Sequence, residues 1–312
     1  DHKNTRNPDE SRCKRWLTHF RQVSVIANAL KVEVINCSRK TAIKSFKTGD
    51  LKEELHKAMH KPILIRGMYG LGDGIYQRGF VKKFPGSYII TPWPELYADL
   101  DVKCVKPDTR LRTQAKNVSK TKMQWHGVPR SVSVKQIAYG HADLEAGSII
   151  SAMKKCFGVD PDFDLPDFGK SPINTDKPVA IIRPVTIRRE WLNSARAPDP
   201  EYVNRAAKIL RAKGFHVVSI ADLQDGQEWL VGDKPDADEY YHNGELSVTQ
   251  LLAAVQNAAV VVGGVGWIVP ACIASGTPLY VVLGGNGMHN APEKITDSEH
   301  MDLSKVGWAK PV

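Results

Sequence analysis

Short aliphatic runs recur along the chain, separated by longer stretches in which apolar residues return every three or four positions. "YIITP" (88–92), "VAIIRP" (179–184), "HVVSIAD" (216–222), "AAVVVGG" (258–264) and "PLYVVLGG" (278–285) read as strands, several of them nearly continuous in apolar residues, as buried strands are. "PEYVNRAAKILRAKG" (200–214) and "VTQLLAAVQNA" (248–258) read as helices between them. That alternation predicts an α/β fold with parallel sheets and ligands at the carboxyl ends of the strands. In "ILIRGMYGLGDGIYQRGF" (63–80), Ile63 to Ile65 read as a buried strand after Pro62, and a helix is expected from Ile75 to Phe84. Between them Gly67, Gly70, Gly72 and Gly74 permit positive φ or a close approach of backbone to a ligand. Asp73 sits near the helix start, where an acid is also a good cap.

Residues 160–178 carry four prolines and almost no helical periodicity, which marks a linker. The expected organisation is an N-terminal extension over 1–61 packed on the first domain, a Rossmann-like domain over 62–165, a linker over 166–177 and a second Rossmann-like domain over 178–312. "VEVINC" (32–37) adds a strand to the extension.

Composition narrows the class. The 312 residues are 42% hydrophobic and 25% charged, enough for two domains. No apolar run approaches the ~18 to 20 residues that span a bilayer, and the polar start lacks a signal-peptide core, so a cytoplasmic location is expected. The five cysteines are scattered without a Cys-x-x-Cys pair, which indicates neither a zinc site nor a disulfide framework.

Charge is unevenly placed. Residues 1–170 hold 30 basic and 18 acidic side chains, against 13 and 16 in residues 171–312. Within residues 102–135, nine basic residues accompany a single acid, Asp108. Lys103, Lys106, Arg110, Arg112, Lys116, Lys120, Lys122 and Arg130 are the candidate contacts to an anionic partner, with Trp125 and His126 interleaved; the bland alternative is a solvated loop.

Known phosphate cradles do not fit the first glycine loop. Gly67 and Gly72 have P-loop spacing, but Asp73 and Gly74 replace the required Lys and Ser/Thr. A dinucleotide fingerprint starting at Gly70 fails because Ile75 stands where its third glycine belongs. No Gly-x-Ser-x-Gly elbow is present.

A strand, then Gly-x-Gly-Asp, then a helix resembles the heptosyltransferase-like glycosyltransferase family 9. "AIIRPVTIRREW" (180–191) and "TQLLAAVQNAAVVVGGVGWIVPACIASGTPLYVVLGG" (249–285) resemble, in order and spacing, that family's basic donor loop and diphosphate cradle. The resemblance runs over roughly residues 62–290. It implies a GT-B fold and inverting, metal-independent transfer from a UDP- or ADP-sugar. Asp73 is then the catalytic base, and Gly70, Gly72, Arg183, Thr186, Arg188, Arg189, Gly263, Gly264, Gly266 and Trp267 form the donor site. The chain departs from the family's Asp-Ser/Thr-Gly turn, having Val265, Gly266 and Trp267 there, and Pro270 replaces a helix His. His289 and Asn290 lie after a strand end, where a ligand would sit.

In a GT-B fold the basic stretch falls on the acceptor side, so an anionic acceptor is expected. DNA carrying a hydroxymethylated base, as phage-type DNA-modifying glycosyltransferases use, is preferred, because the cations are spread singly and no amphipathic face accompanies them. A lipopolysaccharide core is the alternative acceptor, and a non-catalytic nucleic-acid-binding protein on the same fold is the rival from another class.

Overall fold

The computed structural model describes residues 9–38, 41–52, 62–190, 197–284 and 288–309. The chain forms two compact units, Asp1–Lys61 and Pro62–Val312.

The first unit contains a helix that the sequence reading did not anticipate, α1 (Glu10–Ala29), with the Asp9 side chain accepting from the Arg12 N–H as its cap. Trp16, Phe20 and Val23 recur at helical spacing on it, yet all three stand exposed. The strand expected over 32–37 shortens to β1 (Ile35–Asn36), paired in parallel with β2 (Lys47–Thr48).

The second unit holds two parallel sheets. The first has the order β5-β4-β3-β6, from β3 (Ile63–Arg66), β4 (Ser87–Ile90), β5 (Val102–Val105) and β6 (Ser133–Gln136). Its helices are α2 (Leu71–Val81), α3 (Arg112–Lys120), α4 (His141–Ala146) and α5 (Ile149–Phe157). The basic stretch is therefore structured, containing β5, α3 and β6 where no element had been expected.

The second sheet has six strands in the order β11-β9-β7-β12-β13-β14. They are β7 (Val179–Arg183), β9 (His216–Ile220), β11 (Glu239–Tyr241), β12 (Val260–Gly263), β13 (Leu279–Val282) and β14 (Val306–Ala309). A separate antiparallel pair joins β8 (Thr186–Arg188) to β10 (Glu228–Leu230). The helices here are α6 (Pro200–Ala212), α7 (Val248–Gln256), α8 (Ile268–Ser275) and α9 (Pro292–Ile295). Neighbouring strand residues point to opposite faces. Thus Ile181, Val218 and Val261 enter one core while Ala180, Ile182, Val217 and Val262 enter the other, beneath α6.

Residues 160–178 carry no helix or strand, yet they are fastened to the second sheet's layer. The Gln256 side chain donates to Pro166 O (2.8 Å) and accepts from Phe168 N–H (3.0 Å), and Asn257 donates to Gly169 O (3.0 Å).

The glycine loop differs from expectation in a way that explains its composition. Helix α2 begins at Leu71, so Gly72, Asp73 and Gly74 lie in its first turn, and none of the four glycines takes a positive φ. Their use is steric. A Cβ on Gly72 would lie 3.3 Å from Trp267 Cα, so its absence lets α2 meet the start of α8 backbone to side. A Cβ on Gly74 would lie 3.0 Å from Leu96 and 3.3 Å from Trp93, and one on Gly70 would strike the Asp73 carboxylate. Gln77, buried in the next turn, holds the loop by accepting from Met68 N–H and donating to Met68 O, both at 2.9 Å. The fully buried Arg78 anchors the helix below through two 2.7 Å bonds to Asp99 and one of 2.6 Å to Leu96 O.

Candidate functional site

In each sheet the strand order reverses beside the first strand, and such switch points open a crevice at the carboxyl ends of the strands. In the first sheet the reversal lies between β3 and β6. Asp73 follows β3 and Tyr139 follows β6, and the Tyr139 hydroxyl donates to Asp73 Oδ1 at 2.6 Å. Both residues are half-buried. As the third residue of α2, Asp73 also profits from the positive end of the helix dipole. Burial, reinforced by the Asp73 charge, pushes the Tyr76 phenol far above its usual value, and Tyr76 stays protonated to donate to Ile295 O at 2.6 Å. That bond ties the C-terminal segment to the first sheet's helices. His289 extends the tie by meeting His141 edge-on, with ring centroids 4.5 Å apart.

In the second sheet the reversal lies between β7 and β12, whose last residues, Arg183 and Gly263, are partners in register. A side chain at 263 would meet Arg183 Cβ at 2.7 Å and Ile268 at 2.9 Å, so the glycine makes room for the arginine. Arg183 turns its guanidinium onto Glu228, which has no exposed side-chain surface. Two more arginines reach the same carboxylate, Arg188 through Nε at 2.7 Å and Arg112 through Nη2 at 2.8 Å. Thr186 Oγ1 donates to Glu228 Oε1 at 2.9 Å. Arg112 also pairs with Asp222 at 3.1 Å and donates to Asp222 O at 2.6 Å, while Lys116 bonds Asp222 at 3.0 Å and Gly244 O at 2.8 Å.

The charges set one another. Burial is the strongest single influence on Asp222 and opposes its ionisation, but the Lys116 hydrogen bond and the Arg112 and Lys116 charges together hold its carboxyl below the ordinary value. Burial draws the Arg183 guanidinium down from its ordinary value, with Glu228 opposing. Nearby, buried His242 shares a 2.9 Å bond with Ser219 Oγ; burial, helped by Lys234 and Arg183, lowers its pKa and favours the neutral ring.

Of the expected site residues, Gly70 lies against the Asp73 carboxylate and Gly72 against the Trp267 backbone, while Gly263 lies against Arg183, which shares Glu228 with Thr186 and Arg188. The Trp267 side chain is half-buried against the core, Gly264 follows β12, and Gly266 is exposed with open space beyond its Cα. Arg189 is exposed, and its backbone N–H donates to Gln227 O.

The basic stretch divides. Lys103, Lys106, Arg110, Lys120, Lys122 and Arg130 are exposed. Arg112 and Lys116, expected to meet the acceptor, are turned the other way, because α3 presents them to Asp222 and Glu228 of the second sheet's layer. Sequence reading missed Tyr139, Asp222 and Glu228 altogether. Glu228 stands in "EWLVG" beside the exposed Trp229, so the local pattern gives no sign of its burial. Among the described residues, Asp297, Glu299 and His300 could together hold a metal ion, though both His300 nitrogens already face carboxylates, Asp297 and Asp160, at 3.2 Å.

Two parallel sheets, each with a switch point beside its first strand, make the GT-B fold. No family model matches the sequence, and no curated protein matches it. Solved structures do. The iron-containing dodecameric glycosyltransferase TibC from enterotoxigenic E. coli superposes with a TM-score of 0.50 at 15% identity, over 76% of this chain and 64% of that one. TibC in complex with ADP-D-β-D-heptose gives 0.49 at 14% over 77% and 63%, and E. coli heptosyltransferase WaaC with ADP gives 0.49 at 9% over 80% and 93%. The chain spans less than two thirds of the length of TibC. At these identities the likeness is one of fold.

Proposed function

We propose that the protein transfers a sugar from a nucleotide-sugar donor to a hydroxyl of a phosphate-bearing acceptor. The observation that supports this reading is that the helix bearing Asp73 packs, through Gly72, on the backbone of Trp267, four residues after the Gly263 that pairs with Arg183 at the second sheet's switch point. Sugar transfer with inversion needs a base for the acceptor proton and cationic groups for the departing nucleoside diphosphate. Asp73 is the base, and Tyr139 holds its carboxylate. Arg183, Arg188 and Thr186 steady the diphosphate, aided by the backbone N–H groups of the turn from Gly263 to Trp267. UDP- and ADP-sugars are the donors to test. TibC has been solved with ADP-heptose, which suits the adenine nucleotide. No metal enters this scheme.

The six exposed cations of the first sheet's half support an anionic acceptor. They are spread over loops, β5 and α3, which suits a phosphate backbone, and DNA with a hydroxymethylated base is the acceptor of this reading. A panel of nucleotide sugars tests the donor half: one member should raise the melting temperature by several degrees at saturating concentration, whereas no shift from any member would remove the enzyme reading.

A further inference from the structure

Among the structural features, the least expected is that an arginine of the first sheet's half, Arg112, shares a buried carboxylate with two arginines of the second. We propose that Arg112 belongs to the donor-diphosphate site, which it completes from the opposite sheet. This rests on the sugar-transfer reading for the identity of the ligand, though not for the existence of an anion site.

Three guanidiniums converge on Glu228 at 2.7 to 3.2 Å. The neighbouring Lys116–Asp222 pair balances itself, which leaves three guanidiniums around the single buried carboxylate, with the exposed Glu190 carboxylate accepting from the Arg112 backbone N–H at 3.0 Å; the cluster is net positive, as a site for the diphosphate of a nucleotide sugar requires. Hydrogen-bonding capacity gives the same answer. A carboxylate offers about four acceptor sites, whereas each guanidinium brings about five N–H donors. Glu228, which also accepts from Thr186, cannot engage them all. It serves as the resident counter-ion that keeps three like charges together within reach of solvent. Their side chains are 18% (Arg112), 15% (Arg183) and 31% (Arg188) exposed, against 0% for Glu228, so the open side of the cluster is arginine.

The placement favours a ligand over a purely structural tie. Arg183 ends β7 at the switch point, Arg188 and Glu228 are register partners on the β8–β10 pair, and Arg112 arrives from α3. Lys116, one turn along α3, fixes Asp222 and thereby the Arg112 fork that Asp222 also holds. Because Arg112 comes from the first sheet's half, diphosphate bound to all three arginines would clamp the two halves together while Asp73 acts.

Calorimetric titration of inorganic pyrophosphate, ADP and UDP into the full chain tests this. Arg112→Ala should weaken pyrophosphate binding roughly 10- to 100-fold, the worth of charge-assisted hydrogen bonds. Arg205→Ala, at an exposed cation on α6 away from the cluster, should leave it within about threefold. Should Arg112→Ala not fold, Arg112→Lys carries the test: it keeps the charge opposite Glu228 but loses the fork, and affinity should fall severalfold at an unchanged melting temperature. Wild-type affinity in both Arg112 variants, or no pyrophosphate binding to the wild type at low salt, overturns the proposal. Arg112-dependent pyrophosphate binding without acceptance of any nucleotide sugar would uphold the anion site and reject sugar transfer. Unaltered nucleotide-sugar binding and turnover in Arg112→Ala would do the reverse.

Discussion

The Tyr139 hydroxyl lies 2.6 Å from Asp73 Oδ1, a bond that spans the switch point of the first sheet and joins the segments following β3 and β6. If Asp73 is the base, Asp73→Asn should lower turnover by about 10² to 10⁴ with donor affinity unchanged. Tyr139→Phe removes the hydroxyl that donates to Asp73, so turnover should fall about tenfold or more with little change in melting temperature. Steady-state rates set beside thermal unfolding check both, and a parallel loss of stability and rate would mark Asp73 as a helix-start residue alone.

Gly72 tests the junction of the two sheets. Gly72→Val places its branches against the Trp267 backbone, 3.3 Å from where a Cβ would begin, and backbone cannot swing aside as a flexible side chain can. A loss of roughly 1 to 3 kcal/mol is expected by denaturant titration. Activity should fall further than stability, since α2 carries the proposed base and α8 follows the proposed diphosphate turn.

Much of this was legible in the chain because buried strands of a parallel sheet announce themselves as aliphatic runs. The segments beginning at 179, 216, 258 and 278 all became strands of the second sheet. The start of α2 was misjudged because glycines near a strand end suggest a loop, whereas Gly72 and Gly74 are helical residues kept small by Trp267, Trp93 and Leu96. Glu228 and Tyr139 could not be found by pattern: each acts on residues distant in sequence, Arg112 and Arg183 for one and Asp73 for the other. The basic stretch misled for the same reason. Arg112 and Lys116 look identical to their exposed neighbours until α3 turns them toward Asp222 and Glu228.

Acid should loosen the ion network. Asp222 and Asp99 both have carboxyls held below the ordinary 3.8, Asp99 chiefly by its hydrogen bonds from Arg78. Groups shifted in this direction contribute stability that is present above their unfolded value and lost as pH falls through the folded one. Denaturant titrations should show stability dropping below about pH 4, with a shallower drop in Asp222→Asn.

Acceptor binding should follow the exposed cations alone. If DNA is bound, replacing Lys106, Arg110 and Lys122 together by Ala should flatten the dependence of log K on log salt by about two to three units. Shallow, weak DNA binding with attraction to anionic vesicles would instead point to a glycolipid acceptor.

The most direct test of sugar transfer is the mass of the acceptor after reaction. The wild-type chain is incubated with each UDP- and ADP-sugar and, separately, with DNA containing hydroxymethylated bases and with lipopolysaccharide core, and nucleoside diphosphate release is followed in parallel. One donor and one acceptor should yield a product heavier by a single sugar, with equal release of nucleoside diphosphate, and Asp73→Asn should slow its formation by about 10² or more, with Arg183→Ala also lowering it. Absence of product and of diphosphate release from every donor, by a folded chain, would contradict the account.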